Sequence, residues 1–217
     1  TQACIDVVRE NQLEQGYVRP LLYYGYGKMG LNPVGAPVEC IIACWPWGKY
    51  LAGDTVKIKT SKYIRIHPQT SVTDAKIVGH YVNSIHASLE VHGDERYDEA
   101  LFLDYEGNVA EGPGENIFLV KNGVIHTPQA GTILTGITRN TIMQIANDNG
   151  IETQERVIKP EEILAADEAF FTGTAAEVSG IVSLDDQQIG TGEMGPITKQ
   201  LKEAYHQAVT GELEQYE

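Results

Sequence analysis

Read for polar and apolar positions, the chain breaks into short blocks of mixed period. Residues 1–15, TQACIDVVRENQLEQ, carry apolar residues at helical spacing and predict a helix. YVRPLLYYGYG, residues 17–27, and VECIIACWPW, residues 38–47, are rich in aromatic and branched residues and predict strands. The turn-rich run WPWGKYLAGD, residues 45–54, marks a boundary. Beyond it VKIKTSKYIRI, residues 56–66, alternates as a strand does. In SVTDAKIVGHYVNSIHASLEVHG, Thr73 or Asp74 stands where a cap belongs, and apolar residues recur at helical spacing up to Gly93.

The remaining blocks follow the same logic. EALFLD predicts a strand, and NVAEGPGENIFLV a strand with a glycine-rich kink. Asn122-Gly123 between IFLVK and VIHTP predicts a tight hairpin. GITRNTIMQIANDNG predicts a helix closed by Gly150. EAFFTG and IVSLD predict strands, and GPITKQLKEAYHQAV a final helix. Strands and helices mix irregularly, with hairpins, so the expected class is α+β and not a doubly wound parallel sheet.

Gly25-Tyr26-Gly27-Lys28-Met29-Gly30 fits G-x-G-x-x-G, the spacing of a dinucleotide-binding turn. That turn must open a helix whose N-terminus receives the pyrophosphate. Here the glycines run into LNPVGAPVE, where Pro33 and Pro37 forbid a helix of useful length. The dinucleotide reading is rejected.

Composition narrows the class further. The 217 residues are 42% hydrophobic and 21% charged, which is ordinary globular material, and the net charge is -14. An acidic surface repels phosphate backbones and anionic lipid, so neither nucleic acid nor membrane is an expected partner. No apolar run is long enough to span a bilayer. Cys4, Cys40 and Cys44 are odd in number and form no CxxC pair, so they are expected to be buried thiols in a reducing cytoplasm, with no metal site. The chain opens in mid-helix without an initiator Met, which suggests a segment upstream.

The chemistry gathers in four places. Lys76, in TDAKIVGHY, falls at a predicted helix start, where the dipole disfavours an extra cation. Lysines destabilised as cations are the ones used for Schiff bases. Glu111 precedes the turn of AEGPGENIF. LTGITRN offers backbone N–H groups and Thr138 at a helix start, with Gly136 permitting close approach. FFTGTAAEV offers Thr172, Thr174 and further amides at a strand end. Each alone has an ordinary explanation: a surface lysine, a loop glutamate, a cap, a turn. Together they meet the needs of pyridoxal phosphate: an amine for the aldehyde, a carboxylate for the ring nitrogen and a cup for the phosphate.

The order TDAKIVGHY, AEGPGENIF, HTP, LTGITR, FFTGTAAE resembles the class IV, or fold type IV, pyridoxal phosphate aminotransferases, and within them the bacterial branched-chain amino acid aminotransferases. The similarity runs over essentially the whole chain. It implies a Schiff base on Lys76, which would also move the proton between Cα and the cofactor. Tyr81 would bond the phenolic oxygen and Glu111 the pyridine nitrogen. Leu134, Gly136, Ile137 and Thr138 would wrap the phosphate, with Gly173 and Thr174 adding to that cup. Thr174 and Ala175 would meet the substrate carboxylate through their amides. In YVRP, Tyr17 and Arg19 would bind substrate carboxylates, and Met29, Gly30 and Leu31 would wall the side-chain pocket of a neighbouring subunit. Pro113 departs from the small residue usual in EGxGEN and is expected to stiffen the turn.

The resemblance further implies residues 1–48 as the end of a small N-terminal domain, residues 49–54 as a linker and residues 55–217 as the large cofactor-binding domain. It implies a cytoplasmic homodimer, or a higher assembly of dimers, acting on amino acids and 2-oxo acids. The expected reaction moves the amino group between leucine, isoleucine or valine and 2-oxoglutarate. A D-amino acid aminotransferase, an aminodeoxychorismate lyase-like enzyme and a non-catalytic binding protein of the same fold remain open at this point.

Overall fold

The computed structural model describes residues 1–48 and 53–213, so most of the expected linker, residues 49–52, lies outside the described residues. The chain forms two compact units, Thr1–Tyr50 and Leu51–Glu217. Each is described by itself.

The first unit holds α1 (Gln2–Glu10), β1 (Tyr17–Tyr24) and β2 (Val38–Trp45). The strands pair antiparallel along their whole length, Tyr17 opposite Trp45 and Tyr24 opposite Val38. Pro20 is tolerated because a two-stranded ribbon leaves one side of each strand unpaired. Tyr17 packs its ring on Trp45 and Trp47, with centroids 5.3 and 4.5 Å away. The segment between the strands is a chain of turns. Gly25 N–H donates to Pro37 O at 2.8 Å, Val34 N–H to the Asn32 side chain at 3.0 Å and Ala36 N–H to Pro33 O at 2.9 Å. No helix follows the glycines of GYGKMG, in line with the rejected dinucleotide reading.

None of residues 1–48 is buried. The expectation of buried cysteines therefore needs correcting. Cys44 is half-buried, its Sγ 3.5 Å from Val7 O on α1, and Cys4 is half-buried, but Cys40 is exposed. So small a unit has too little volume to enclose a core.

The second unit is built on one mixed sheet in the order β4-β3-β9-β8-β5-β6-β7, with a short β10 beside β9. The strands are β3 (Thr55–Thr60), β4 (Glu99–Leu101), β5 (Asn116–Lys121), β6 (Val124–Pro128), β7 (Thr153–Arg156), β8 (Glu168–Gly173), β9 (Glu177–Leu184) and β10 (Gln187–Gln188). The helices are α2 (Tyr81–Val91), α3 (Ile137–Asp148), α4 (Pro160–Leu164) and α5 (Pro196–Val209). β5 and β8, NIFLVK and EAFFTG, are nearly continuous apolar runs because both their faces are covered. Phe118, Val120 and Phe170 join Ile142, Ile145 and Leu201 of α3 and α5 on one face. Ile117, Leu119 and Phe171 join Ile163 and Ile181 on the other. The Phe118 and Phe170 rings stack at 5.0 Å. Asn122 and Gly123, with φ of 50° and 78°, make the predicted hairpin turn between β5 and β6.

Two expectations change in this unit. The alternation of residues 56–66 gives a strand only as far as Thr60; the following segment turns, with Tyr63 N–H held by Ser61 Oγ at 3.1 Å. The helix expected from Thr73 or Asp74 begins later, as a single 3₁₀ turn at Val78–His80 that continues into α2. Thr73 lies five residues before that turn, and its hydroxyl donates to Gly131 O at 2.7 Å. Two short elements, β7 and α4, had no periodicity long enough to read.

Candidate active site

One cleft of the second unit is lined by Arg65, Lys76, His80, Tyr81, Glu111 and Leu134, together with the turn that follows Glu111. Lys76 lies in the loop before the 3₁₀ turn and not inside a helix. Its exposed ammonium stands 5.7 Å from the centre of the Tyr81 ring, the first residue of α2.

Glu111 sits opposite, almost fully buried. It is held by the fold-back of EGPGEN, where Glu111 bridges to Asn116 and Gly112 N–H donates to Glu115 O at 2.8 Å. Gly112 is required at this bend: a Cβ there would press on the Glu115 carboxylate and the Phe171 ring. The Glu111 carboxylate accepts from Arg65 Nε, from Asn116 Nδ2 at 2.9 Å and from Leu134 N–H at 3.1 Å. Burial raises its pKa to about 7, against the pull of the Arg65 guanidinium, the Leu134 N–H and the Lys76 ammonium. Below the same turn lie Glu115 and, on β4, Glu99. Burial pushes both carboxyls up, Glu115 to about 8 and Glu99 to about 7. Repulsion adds to the rise, from Glu99 at Glu115 and from Asp98 at Glu99.

The start of α3 closes one side. Leu134 N–H is bound to Glu111, and Asn116 Nδ2 also donates to Leu134 O at 2.7 Å. Gly136 packs against Asn116 so closely that a Cβ would overlap the amide oxygen. No side chain caps α3, and no acidic residue stands in its first turn. The N–H groups of its first turn are therefore available to an anion. Thr138 itself is buried, with its hydroxyl 3.4 Å from that of Tyr205. The turn from β8 to β9 comes near as well, since a Cβ on Gly173 would lie 3.3 Å from Gly114 O. In that turn Thr174 is exposed and Ala175 half-buried.

Lys76, Tyr81, Glu111 and Leu134 thus share one cleft, and Gly136, Ile137, Thr138, Gly173, Thr174 and Ala175 lie on the segments that border it. Tyr17, Arg19, Met29, Gly30 and Leu31 belong to the first unit. There Arg19 donates to the Tyr17 hydroxyl at 3.1 Å, and Met29 and Leu31 are fully exposed. Sequence reasoning passed over Arg65, Asn116, His80 and Glu115. Arg65 was hidden in an alternating run, though Asn116 and Glu115 gave a signal, being polar residues at the head of an apolar strand. His80 is buried and bonds Ser71 through Nε2, while its Nδ1 has no partner among the described residues.

Known proteins match the chain over nearly its whole length. Residues 1–184 match the family model "Amino-transferase class IV". A branched-chain-amino-acid aminotransferase of Pseudomonas aeruginosa is 47% identical over 211 residues, which cover 95% of this chain and 68% of that protein. The branched-chain amino acid aminotransferase of Thermobaculum terrenum, whose crystal structure is of the PLP-bound holo-form, superposes with a TM-score of 0.91 at 37% identity. It is matched over 99% of this chain and 71% of its own. The branched-chain aminotransferase of Thermoproteus uzoniensis with norvaline gives 0.94 at 41% identity, over 99% of this chain and 72% of its own.

Proposed function

We propose that this chain, which belongs to the class IV aminotransferases and has their fold type IV architecture, carries its reaction on Lys76 in the cleft of the second unit. It is a pyridoxal phosphate-dependent branched-chain-amino-acid aminotransferase, moving an amino group between leucine, isoleucine or valine and 2-oxoglutarate. The observation that carries the site assignment is the convergence of a primary amine, a buried carboxylate and an uncapped helix start on one cleft.

The donor set fits the cofactor. A nine-tenths-buried His80 lines the cleft with a ring nitrogen that has no partner among the described residues. Gly112, Gly136 and Gly173 border it at positions where any Cβ would crowd the turn around Glu111 or the residues beside it. Pyridoxal phosphate, when bound, supplies an aldehyde for amino groups and a protonated ring that draws electrons from the substrate's Cα. Lys76 would be the residue to hold that aldehyde, and its amine would move the proton at the substrate's Cα. Glu111 accepts from the ring nitrogen, and Tyr81 donates to the phenolic oxygen. Leu134, Gly136, Ile137 and Thr138 hold the phosphate through the first-turn amides of α3, with Gly173 and Thr174 beside them. The Thr174 and Ala175 amides take the substrate carboxylate. Arg19 suits a bidentate contact with the distal carboxylate of glutamate, and Tyr17 the α-carboxylate. Met29, Gly30 and Leu31 wall a side-chain pocket.

Residues 1–48, 49–54 and 55–217 serve as the end of a small domain, a linker and the cofactor domain. The enzyme acts as a homodimer in the cytoplasm. Val78, Val82, Ile85 and Leu89 support the dimer: they recur at helical spacing and each is more than half exposed. Three unpaired cysteines suit a reducing compartment. Among the described residues no helix is long and apolar enough to cross a membrane.

The test is a substrate screen. Leucine with 2-oxoglutarate should give glutamate. Turnover of D-alanine in place of leucine would instead support the D-amino acid reading.

A further inference from the structure

We infer that Arg65 is a positioning residue for this reaction: its Nε–H bond favours the ionised form of the Glu111 carboxylate, so that a ring nitrogen paired with Glu111 keeps its proton. This role rests on the function proposed above. Arg65 and Glu111 are an ion pair in which both side chains are largely shielded, 11% and 7% exposed. They come from segments far apart in sequence and meet at the wall of the cleft.

Two neutral donors, the Asn116 amide and the Leu134 N–H, fix the orientation of the carboxylate. They do not supply charge. The other ionisable groups around the cleft are Lys76, His80, Tyr81 and Glu115. The Lys76 ammonium is the weakest of the influences favouring the Glu111 anion. Arg65 is the stronger of the two counter-charges. Burial is the largest influence on Glu111 and favours the neutral acid. Without Arg65 the acid form prevails at neutral pH. A neutral acid donates its proton instead of accepting one, and the ring loses the charge that makes it an electron sink.

The experiment compares the parent chain with Arg65→Met and Arg65→Lys. In the cofactor-free chain, Glu111 is titrated by NMR of 13C-labelled carboxyls, its signal assigned by its loss in Glu111→Gln. Removing an opposite charge at contact distance should raise the midpoint by about 1–3 units in Arg65→Met, with Arg65→Lys in between. In the loaded chain the pH profile of the cofactor's absorbance should shift in the same order. The kcat for leucine should fall about tenfold per unit of displacement while KM stays nearly constant. A Glu111 midpoint unmoved in both variants overturns the inference, as does a shifted midpoint with an unchanged absorbance profile. If Arg65→Met does not fold, Arg65→Lys decides by the same readouts. A parent chain that takes up no cofactor would sink the functional reading, while the titration still decides whether Arg65 sets the charge of Glu111.

Discussion

Replacing Gly136 by alanine should disturb the cleft through one neighbour, Asn116. Gly136 has φ -63° and ψ 145°, which any residue adopts, so backbone strain contributes nothing. The added methyl would overlap the Asn116 amide oxygen. That buried amide links Glu111 at 2.9 Å and Leu134 O at 2.7 Å, so moving it breaks both bonds together. A hydrogen bond to a charged group is worth about 1.5–3 kcal/mol and a neutral one about 1 kcal/mol. The expected cost is therefore about 2–4 kcal/mol. Urea unfolding of Gly136→Ala, Asn116→Ala and the double variant forms the cycle that checks it. Once Asn116 is gone the methyl has nothing to displace, so Gly136→Ala should cost under about 0.5 kcal/mol in that background. The reasoning fails if the alanine is harmless in the parent chain, or if it costs the same with and without Asn116.

The buried carboxyls make the cofactor-free chain less stable as pH rises. Glu111 titrates at about 7 in the folded chain against an ordinary 4.5, so the folded state binds its proton more tightly. Stability is full below 4.5 and falls toward 7, a loss of about 3 kcal/mol from 2.5 units at 1.36 kcal/mol each. Glu115 and Glu99 act with the same sign, so Glu115→Gln should flatten the decline measured by urea unfolding between pH 5 and 8. An unchanged slope would contradict the assignment. His126, lowered by burial, acts in the opposite direction below 6.5 and is common to both proteins. At the start of α5, the Glu168 carboxylate accepts from Ile197 N–H at 3.0 Å, Thr198 N–H at 2.8 Å and the Thr198 hydroxyl at 2.7 Å. Glu168→Ala should cost about 2–4 kcal/mol in the same assay, as two buried donors and one half-buried donor lose their carboxylate partner.

Much of the sheet was legible because its central strands carry their burial in their composition. IFLV and AFF have no face to spare for water, and Asn122-Gly123 names its own turn. The start of α2 was misread for a reason that lies far away in the chain. Thr73 has the chemistry of a cap, but its hydroxyl ties the loop to Gly131 O, 58 residues on, and the helix starts only at Val78. β7 and α4 were too short to show a period, and α4 is set by local chemistry: Pro160 in its first turn and Lys159 N–H on the Glu162 carboxylate at 2.8 Å. The same division runs through the site. Lys76, Glu111 and LTGITR stand in recognisable local order. Arg65 is separated from Glu111 by 46 residues, and only the folding of both segments onto the sheet makes them a pair.

Lys76 carries the central claim. Borohydride reduction of the chain incubated with pyridoxal phosphate, followed by peptide mapping, measures where the cofactor is bonded. The predicted result is a phosphopyridoxyl group on the peptide containing Lys76, absent from Lys76→Ala. An adduct that persists in Lys76→Ala, or that maps to another lysine in the parent chain, would contradict it.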